Sequence, residues 1–375
     1  MPTSIHGTNG ITFNDGSTQN TRPAVGFRNR IKNGDCRLDQ RNAGASVTWA
    51  ANTNGYTIDR WKLTQNGTVA STVQRSTVVP TGQGFTNSLL TTITTAETAV
   101  GTGNKTAGYY YMLEGYDTSD FGWGTASAQT ITISFWVRSS VVGTYSFSVM
   151  NTAFNRSYNS SYTITTANTW EKKIFTIPGD TGATSMDTTN GIALSLVFDL
   201  GFSPMYESST ANAWQGSSSY ALSGCTKLSS TVGATFYLTG LQLEAGSTAT
   251  DFERRPIGTE LALCQRYYQK TYELGTAPGT VTLVGAINYI TYGTFQDLND
   301  KLQVEMRGIP STVQIFNPAT GTAGEIRNYS NSVNYAATIN GGAGQTSSKQ
   351  TVFRSSVPAS GNNELTYHIA ASAEL

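Results

Sequence analysis

Glu114, Asp117 and Asp120 lie beside Tyr116, Phe121 and Trp123 in one short run. Two carboxylates suffice for glycoside hydrolysis, so Glu114 with Asp117 or Asp120 could form an acid and nucleophile pair. The same residue types also build non-catalytic sugar sites, where carboxylates accept hydroxyl hydrogens and aromatic faces cover the apolar side of a pyranose. Spacing alone does not choose between the two. Trp123 stands between Gly122 and Gly124 with no strand pattern of its own, so it is either presented to solvent as a sugar platform or folded back to plug the end of a domain. Trp214, in the Ser-rich aromatic stretch 201–226, joins Tyr116, Asp117, Asp120 and Trp123 as a candidate carbohydrate contact.

Other catalytic chemistry is poorly provided for. The two histidines, His6 and His368, are separated by most of the chain, so a Ser-His-Asp or Cys-His arrangement would need both termini to converge. Cys36, Cys225 and Cys264 have neither the pattern of a disulfide framework nor metal-ligand spacing, and read as buried thiols. The run Gly341-Gly342-Ala343-Gly344 lacks the following Lys-Ser/Thr of a phosphate cradle and reads as a turn. A non-enzyme is the simpler expectation.

Only 13% of the 375 residues are charged, with 24 Lys+Arg against 24 Asp+Glu. That balance supplies no electrostatic footprint for nucleic acid or an anionic membrane. No segment approaches the roughly 18 apolar residues of a membrane span, and MPTSIHGTNG lacks the basic and apolar regions of a secretory leader, so cytoplasmic synthesis without membrane insertion is expected. Thr, Ser, Asn and Gly solvate the chain in place of charge, which suits short strands and turns.

The elements that must position these residues are strands. Ile131, Ile133, Phe135 and Val137 alternate with small polar residues, as do Tyr145, Phe147 and Val149, and with the strand opened by Trp170 they predict an antiparallel meander over 130–177 that reverses at Gly143. Ile192, Leu194, Leu196 and Phe198 form another buried face; Phe236, Leu238, Leu241 and Leu243 form the last, with Gly240 placed for a bulge. An all-β fold with a closed β-sandwich follows. Residues 1–30 read as an extended arm with a hairpin signal at Asn14-Asp15-Gly16, too poor in apolar residues to make a core alone. Arg254-Arg255-Pro256-Ile257-Gly258 marks a boundary, and a linking helix is predicted within 257–275, capped by Thr259, with Leu261, Cys264, Tyr267, Tyr268 and Tyr272 on one stripe. Strands over 281–284, 286–292, 302–307, 312–317, 336–339, 351–354 and 365–371 predict a smaller C-terminal β-sandwich or barrel within 276–375.

The phrases NGDCRLDQRNAG, YTIDRWKL, ITISFWVRS, NTWEKKIFTIPGDT and FYLTGLQLEAGSTATDFERRP together resemble the jelly-roll domains of phage tail-fibre and other virion proteins, which are themselves similar to carbohydrate-binding modules; the resemblance implies a jelly-roll sandwich over 31–256. NGITFNDGSTQNT, TELALCQRYYQK and VEMRGIPSTVQIFNPATGTAGEIRN resemble the arm, helix and C-terminal domain of such fibres. The resemblance implies a virion protein, made in the host cytoplasm, that attaches to other virion proteins through residues 1–30, contacts host-surface polysaccharide and forms a homotrimer. A capsid or baseplate decoration protein and a glycan depolymerase are its alternatives. It also implies a structural calcium near the first and last sandwich strands, where Asn33, Asp35 and Asp251 fall. Three ligands are fewer than the six to eight that Ca²⁺ takes, so backbone carbonyls would complete the shell, and turn hydrogen bonds are the competing role.

Overall fold

A computed structural model describes residues 4–6, 10–12, 18–19 and 27–375, apart from 100, 102, 183–185, 293–294, 340–345 and 357–361. The turn signal at Asn14-Asp15-Gly16 and the run from Gly341 to Gly344 lie outside the described residues. Near the N-terminus, β1 (Ser4–His6), β2 (Gly10–Thr12) and β3 (Thr18–Gln19) pair in order as a small antiparallel sheet.

The body is built from β4 (Val47–Trp49), β5 (Asn54–Tyr56), β6 (Lys62–Asn66), β7 (Ala70–Ser76), β8 (Ser88–Thr95) and β9 (Thr106–Glu114), followed by the single helical turn α1 (Gly115–Thr118). Then come β10 (Ile131–Ser139), β11 (Gly143–Asn151), β12 (Ser157–Ile164), β13 (Glu171–Ile177), β14 (Ile192–Asp199), the short β15 (Glu207–Ser208), β16 (Trp214–Gln215) and β17 (Ala221–Leu222), and β18 (Thr235–Ala245). They form a six-stranded sheet, β13-β10-β18-β8-β7-β4, and a seven-stranded sheet, β16-β12-β11-β14-β9-β6-β5, antiparallel throughout.

The meander expected over 130–177 is corrected: β10 and β11 belong to opposite sheets, and so do β12 and β13. The reason is that apolar alternation reports a buried face without saying which strand lies alongside. Phe135 of β10 meets Phe147 of β11 and Phe198 of β14 across the core, at ring separations of 6.1 and 5.2 Å. Gly143 opens the second strand at φ +143°, and a Cβ there would lie 2.1 Å from Thr226 Oγ1, so no larger residue fits without movement. Gly240 sits at φ +64° where the register between β10 and β18 slips between Ser134 and Trp136, the bulge its position suggested.

The helix α2 runs Ile257–Gln265, so it starts before Thr259 and ends before Tyr267. Tyr268 belongs instead to β19 (Tyr268–Lys270), where backbone pairing to the last strand prevails over the helical spacing of the tyrosines. The remaining strands are β20 (Ile287–Tyr292), β21 (Phe295–Lys301), β22 (Thr312–Phe316), β23 (Glu325–Asn328), β24 (Val333–Ile339), β25 (Gln350–Ser356) and the long β26 (Asn362–Ser372). β26 is the hub and pairs with β19, β20, β22 and β23. Around it Leu298, Ile315, Ile326, Leu365, Tyr367 and Ile369 make a second core. The expected strands at 281–284 and 302–307 are irregular chain, and β21 lies just before the second of them.

Residues 201–226 fold onto the outer face of the seven-stranded sheet. Phe202 stacks on Tyr220 at 5.6 Å and edges against Tyr110 at 6.4 Å, burying Met150 and Val197 in a small core of its own.

Candidate functional site

The aromatic and acidic run follows directly from β9. Glu114 ends that strand, Tyr116 and Asp117 occupy α1, and Asp120 lies in the 3-10 turn Ser119–Phe121 that Gly122 closes at φ +62°. This tight double turn sends neighbouring side chains in different directions.

Tyr116 points outward and is 62% exposed. With Asp117 it lines a cleft of about 280 Å³, shared with Phe27, Asn29, Arg30 and Lys32, and bounded by Arg255 and Leu263. The polar groups of the cleft are held in place. Lys32 is buried, ion-paired to Asp117, and donates to Tyr267 Oη at 3.1 Å. Burial draws its pKa below the usual lysine value and outweighs the opposing pull of Asp117. Arg30 pairs with Asp120 at 2.6 Å and donates to the Asp117 carbonyl at 3.2 Å. Arg255 is held between the Ile31 carbonyl, at 3.0 Å, and Glu260, at 3.1 Å.

Glu114 faces the other way, into the junction with the C-terminal strands. Its side chain is almost fully buried and accepts from Arg266 Nε at 2.8 Å, Arg266 Nη2 at 2.9 Å and Tyr267 Oη at 2.6 Å. Burial pushes its pKa up, but the hydrogen bonds from Arg266 and Tyr267 and the charges of Arg266 and Lys32 together hold it below the ordinary glutamate value. A general acid needs the reverse, a carboxyl kept protonated near neutral pH. Each carboxylate of the run thus has its own cation: Arg266 for Glu114, Lys32 for Asp117 and Arg30 for Asp120.

Trp123 takes the second of its two predicted places. It is only 7% exposed, donates from Nε1 to the Gln129 carbonyl at 2.8 Å, and meets Trp214 edge-on at 5.1 Å. Trp214 donates to the Pro178 carbonyl at 2.8 Å and packs on Tyr158 at 5.4 Å. The two indoles close one end of the sandwich, and the solvent-presented platform expected at Trp123 is corrected accordingly. Among the five sugar-contact candidates, only Tyr116 and Asp117 share the cleft; Asp120 reaches it through Arg30.

The donor set expected for calcium does not fit the ion. Asn33 accepts from the Leu38 amide at 2.9 Å and donates to the Leu38 and Asp59 carbonyls, so its amide is committed to tying the turn. Asp35 pairs with Arg37 at 2.5 Å, and Asp251 is exposed. Among the described residues, no group of three or more His, Cys, Asp or Glu side chains is placed to hold a metal ion.

Sequence reasoning missed the residues that organise the junction. Arg60 is buried, ion-paired to Glu374, bonded to the Met112 carbonyl at 2.6 Å, and stacked 3.5 Å from the centre of the Tyr267 ring. Arg41 joins Glu374 at 2.9 Å and covers Tyr268 at 3.8 Å. The available signal was the scarcity of charge in a chain where YTIDRWKL still carries two cations and an acid.

No family model matches the chain, and no curated protein matches it. Several solved structures resemble part of it distantly. The enzymatically active domain of bacteriophage CBA120 tailspike protein 4 is 14% identical over 58% of this chain and 22% of that one, with a TM-score of 0.33. A putative sugar binding protein from Bacteroides thetaiotaomicron is 12% identical over 58% of this chain and all of that one, at 0.34. The family 11 carbohydrate-binding module from Clostridium thermocellum, in complex with a mixed-linked tetrasaccharide, is 12% identical over 54% of this chain and 98% of that one, at 0.27. The chain thus spans about a fifth of the tailspike domain's length. It bears a distant, partial resemblance to phage tailspike and carbohydrate-binding-module folds.

Proposed function

We propose that this chain is a non-catalytic virion component of the tail-fibre type, a homotrimer that attaches through residues 1–30 to other virion proteins and contacts host-surface glycan. The observation that carries the non-catalytic reading is the separate pairing of Glu114, Asp117 and Asp120 with three different cations. Hydrolysis needs two carboxyls facing one bond with their pKa values driven apart. Here Glu114 is turned into a domain junction and held ionised.

Glycan contact is supported by the Tyr116 cleft. An exposed ring beside fixed polar groups is the arrangement that recognises a pyranose, whose apolar face stacks while its hydroxyls exchange hydrogen bonds. Attachment through the arm is supported by its composition: strands of two or three residues have too little area to be stable by themselves and gain from a partner surface.

Binding of the purified chain to immobilised host polysaccharide tests the reading. Tyr116→Ala should weaken it up to about tenfold, the worth of one aromatic contact of about 0.5–1.5 kcal/mol. Sustained release of reducing ends from that polysaccharide, abolished by Glu114→Gln, would replace this function with a depolymerase.

A further inference from the structure

We infer that the groove between the β5-β6-β9 edge of the seven-stranded sheet and the loop 201–226 binds an uncharged oligosaccharide. This rests on the reading that the chain contacts glycan, but at a site separate from the Tyr116 cleft and of different chemistry.

The sheet register builds the groove. Lys62, Thr64 and Asn66 alternate with the buried Leu63 and Gln65, so they face outward from β6. Asn54 stands opposite Thr64 and Thr64 opposite Gly108, while Asn66 stands opposite Thr106. Adjacent strands lie about 4.8 Å apart and same-face residues about 6.8 Å apart along a strand, so Asn54, Thr64, Asn66 and Thr106 form a grid of neutral hydrogen-bonding groups, with Lys62 outside the groove lining. Beyond Gly108 the face is closed by the loop: a Cβ at Gly108 would come within 2.7 Å of the Phe202 ring. Tyr206 supplies the wall on that side and donates its hydroxyl to Asn104 Oδ1. The resulting groove encloses about 430 Å³.

Its lining decides the ligand class. Asn52, Asn54, Asn66, Asn104, Thr64 and Thr106 contribute to it together with Gln65 and Tyr206, and none of them is charged. A carboxamide offers donor and acceptor side by side, as a sugar hydroxyl does, and a set without formal charge discriminates against ionic ligands. The Tyr116 cleft, by contrast, is lined by Arg30, Lys32, Asp117 and Arg255. The supporting amides are fixed: Gln65 donates to the Trp49 and Ala50 carbonyls and accepts from Ser71, and Asn52 accepts from the Gly67 amide. The side chains of Asn54, Thr64, Asn66 and Thr106 have no hydrogen-bond partner among the described residues and are open to a ligand.

Calorimetry on the full chain tests this with hexaoses of glucose, xylose, mannose, galactose and N-acetylglucosamine, and with oligogalacturonate as the acidic probe. At least one neutral hexaose should bind, Asn54→Ala with Asn66→Ala should weaken it at least tenfold, and Tyr116→Ala should leave it within about twofold. Thr64→Trp, which fills the groove from a half-buried position on its floor, should abolish it while the chain still folds. Neutral binding that survives both groove variants and is lost with Tyr116→Ala overturns the groove and leaves the glycan reading standing. Binding of oligogalacturonate alone has the same meaning. Failure of the folded wild type to bind any probe removes both.

Discussion

Arg266 grips Glu114 with two parallel bonds, Nε to Oε2 at 2.8 Å and Nη2 to Oε1 at 2.9 Å, and Tyr267 adds a third donor at 2.6 Å. The last residue of β9 is thereby tied to the segment just after α2, across 152 positions of sequence. Removing the carboxylate leaves Arg266 without its anion and takes away the acceptor of the Tyr267 hydroxyl. Glu114→Ala should therefore cost about 3 kcal/mol, the low end for breaking a buried pair because Arg266 keeps some water. Denaturant unfolding measures it, and a cost below about 1 kcal/mol would remove Glu114 as the anchor of the junction.

The same pair sets an acid limit. The folded pKa of Glu114 lies below 4.5, so the stability it contributes is complete above that value and is lost as pH falls through the folded pKa. The midpoint difference between wild type and Glu114→Gln should be widest at neutral pH and shrink below about pH 4. A difference that stays constant down to pH 2 would contradict the depressed pKa.

Asp300 titrates in the opposite sense. Burial lifts its carboxyl from 3.8 to about 6, against the hydrogen bonds it accepts from the Tyr367 hydroxyl at 3.2 and 3.0 Å. The folded state holds this proton more tightly than the unfolded chain, so stability declines as pH climbs from about 4 to 6 and the deficit persists above. Asp300→Asn keeps an acceptor for Tyr367 without the buried charge. It should stabilise by about 1–2 kcal/mol at pH 7.5, after allowance for solvent screening, and by nothing at pH 4. Thermal melts at the two pH values check the sign.

How much of this was legible in the sequence depended on what each signal measures. Alternation found the buried faces of β10, β11, β14 and β18, because a strand that packs on one side must show it. It could not assign those strands to sheets, since a hairpin and a crossing between sheets have the same period. β21 was missed because FQDLNDK reads as polar: only Phe295 and Leu298 of its seven residues are apolar, and Asp300 is buried beside Leu298 in the sequence. The charged junction was invisible for a different reason. Lys32, Arg60 and Glu114 find partners 85, 314 and 152 residues away, and no local pattern encodes such distances. Within the acidic run, residue types suggested a single site, whereas one helical turn divides Glu114 from Tyr116 and Asp117.

Trp123 tests that division directly. Its ring lies between Phe121 and Trp214 and is sealed from solvent, so Trp123→Ala should behave as a core truncation and cost about 3–5 kcal/mol. Glycan affinity of the folded fraction should be unchanged within about twofold. A tenfold loss of affinity with little loss of stability would return Trp123 to the binding surface.

Arg60 and Glu374 tie the sandwich to the C-terminal end of the chain. Arg60 is 2% exposed, and its charge is balanced by Glu374, which also receives Arg41. Glu374→Leu leaves Arg60 buried without its anion and should cost about 3–5 kcal/mol, whereas Arg60→Met with Glu374→Leu replaces the pair by packing surface. The double variant should recover much of that loss, because Arg41 is less deeply buried and keeps its contacts with the Tyr56 and Tyr268 rings. Arg60→Met alone also forfeits the bond to the Met112 carbonyl and the stacking on Tyr267, so it should fall between the other two. A double-mutant cycle by denaturant unfolding measures the coupling. Strictly additive effects would mean that Arg60 and Glu374 do not act as a pair and that packing around Tyr267 holds the junction by itself.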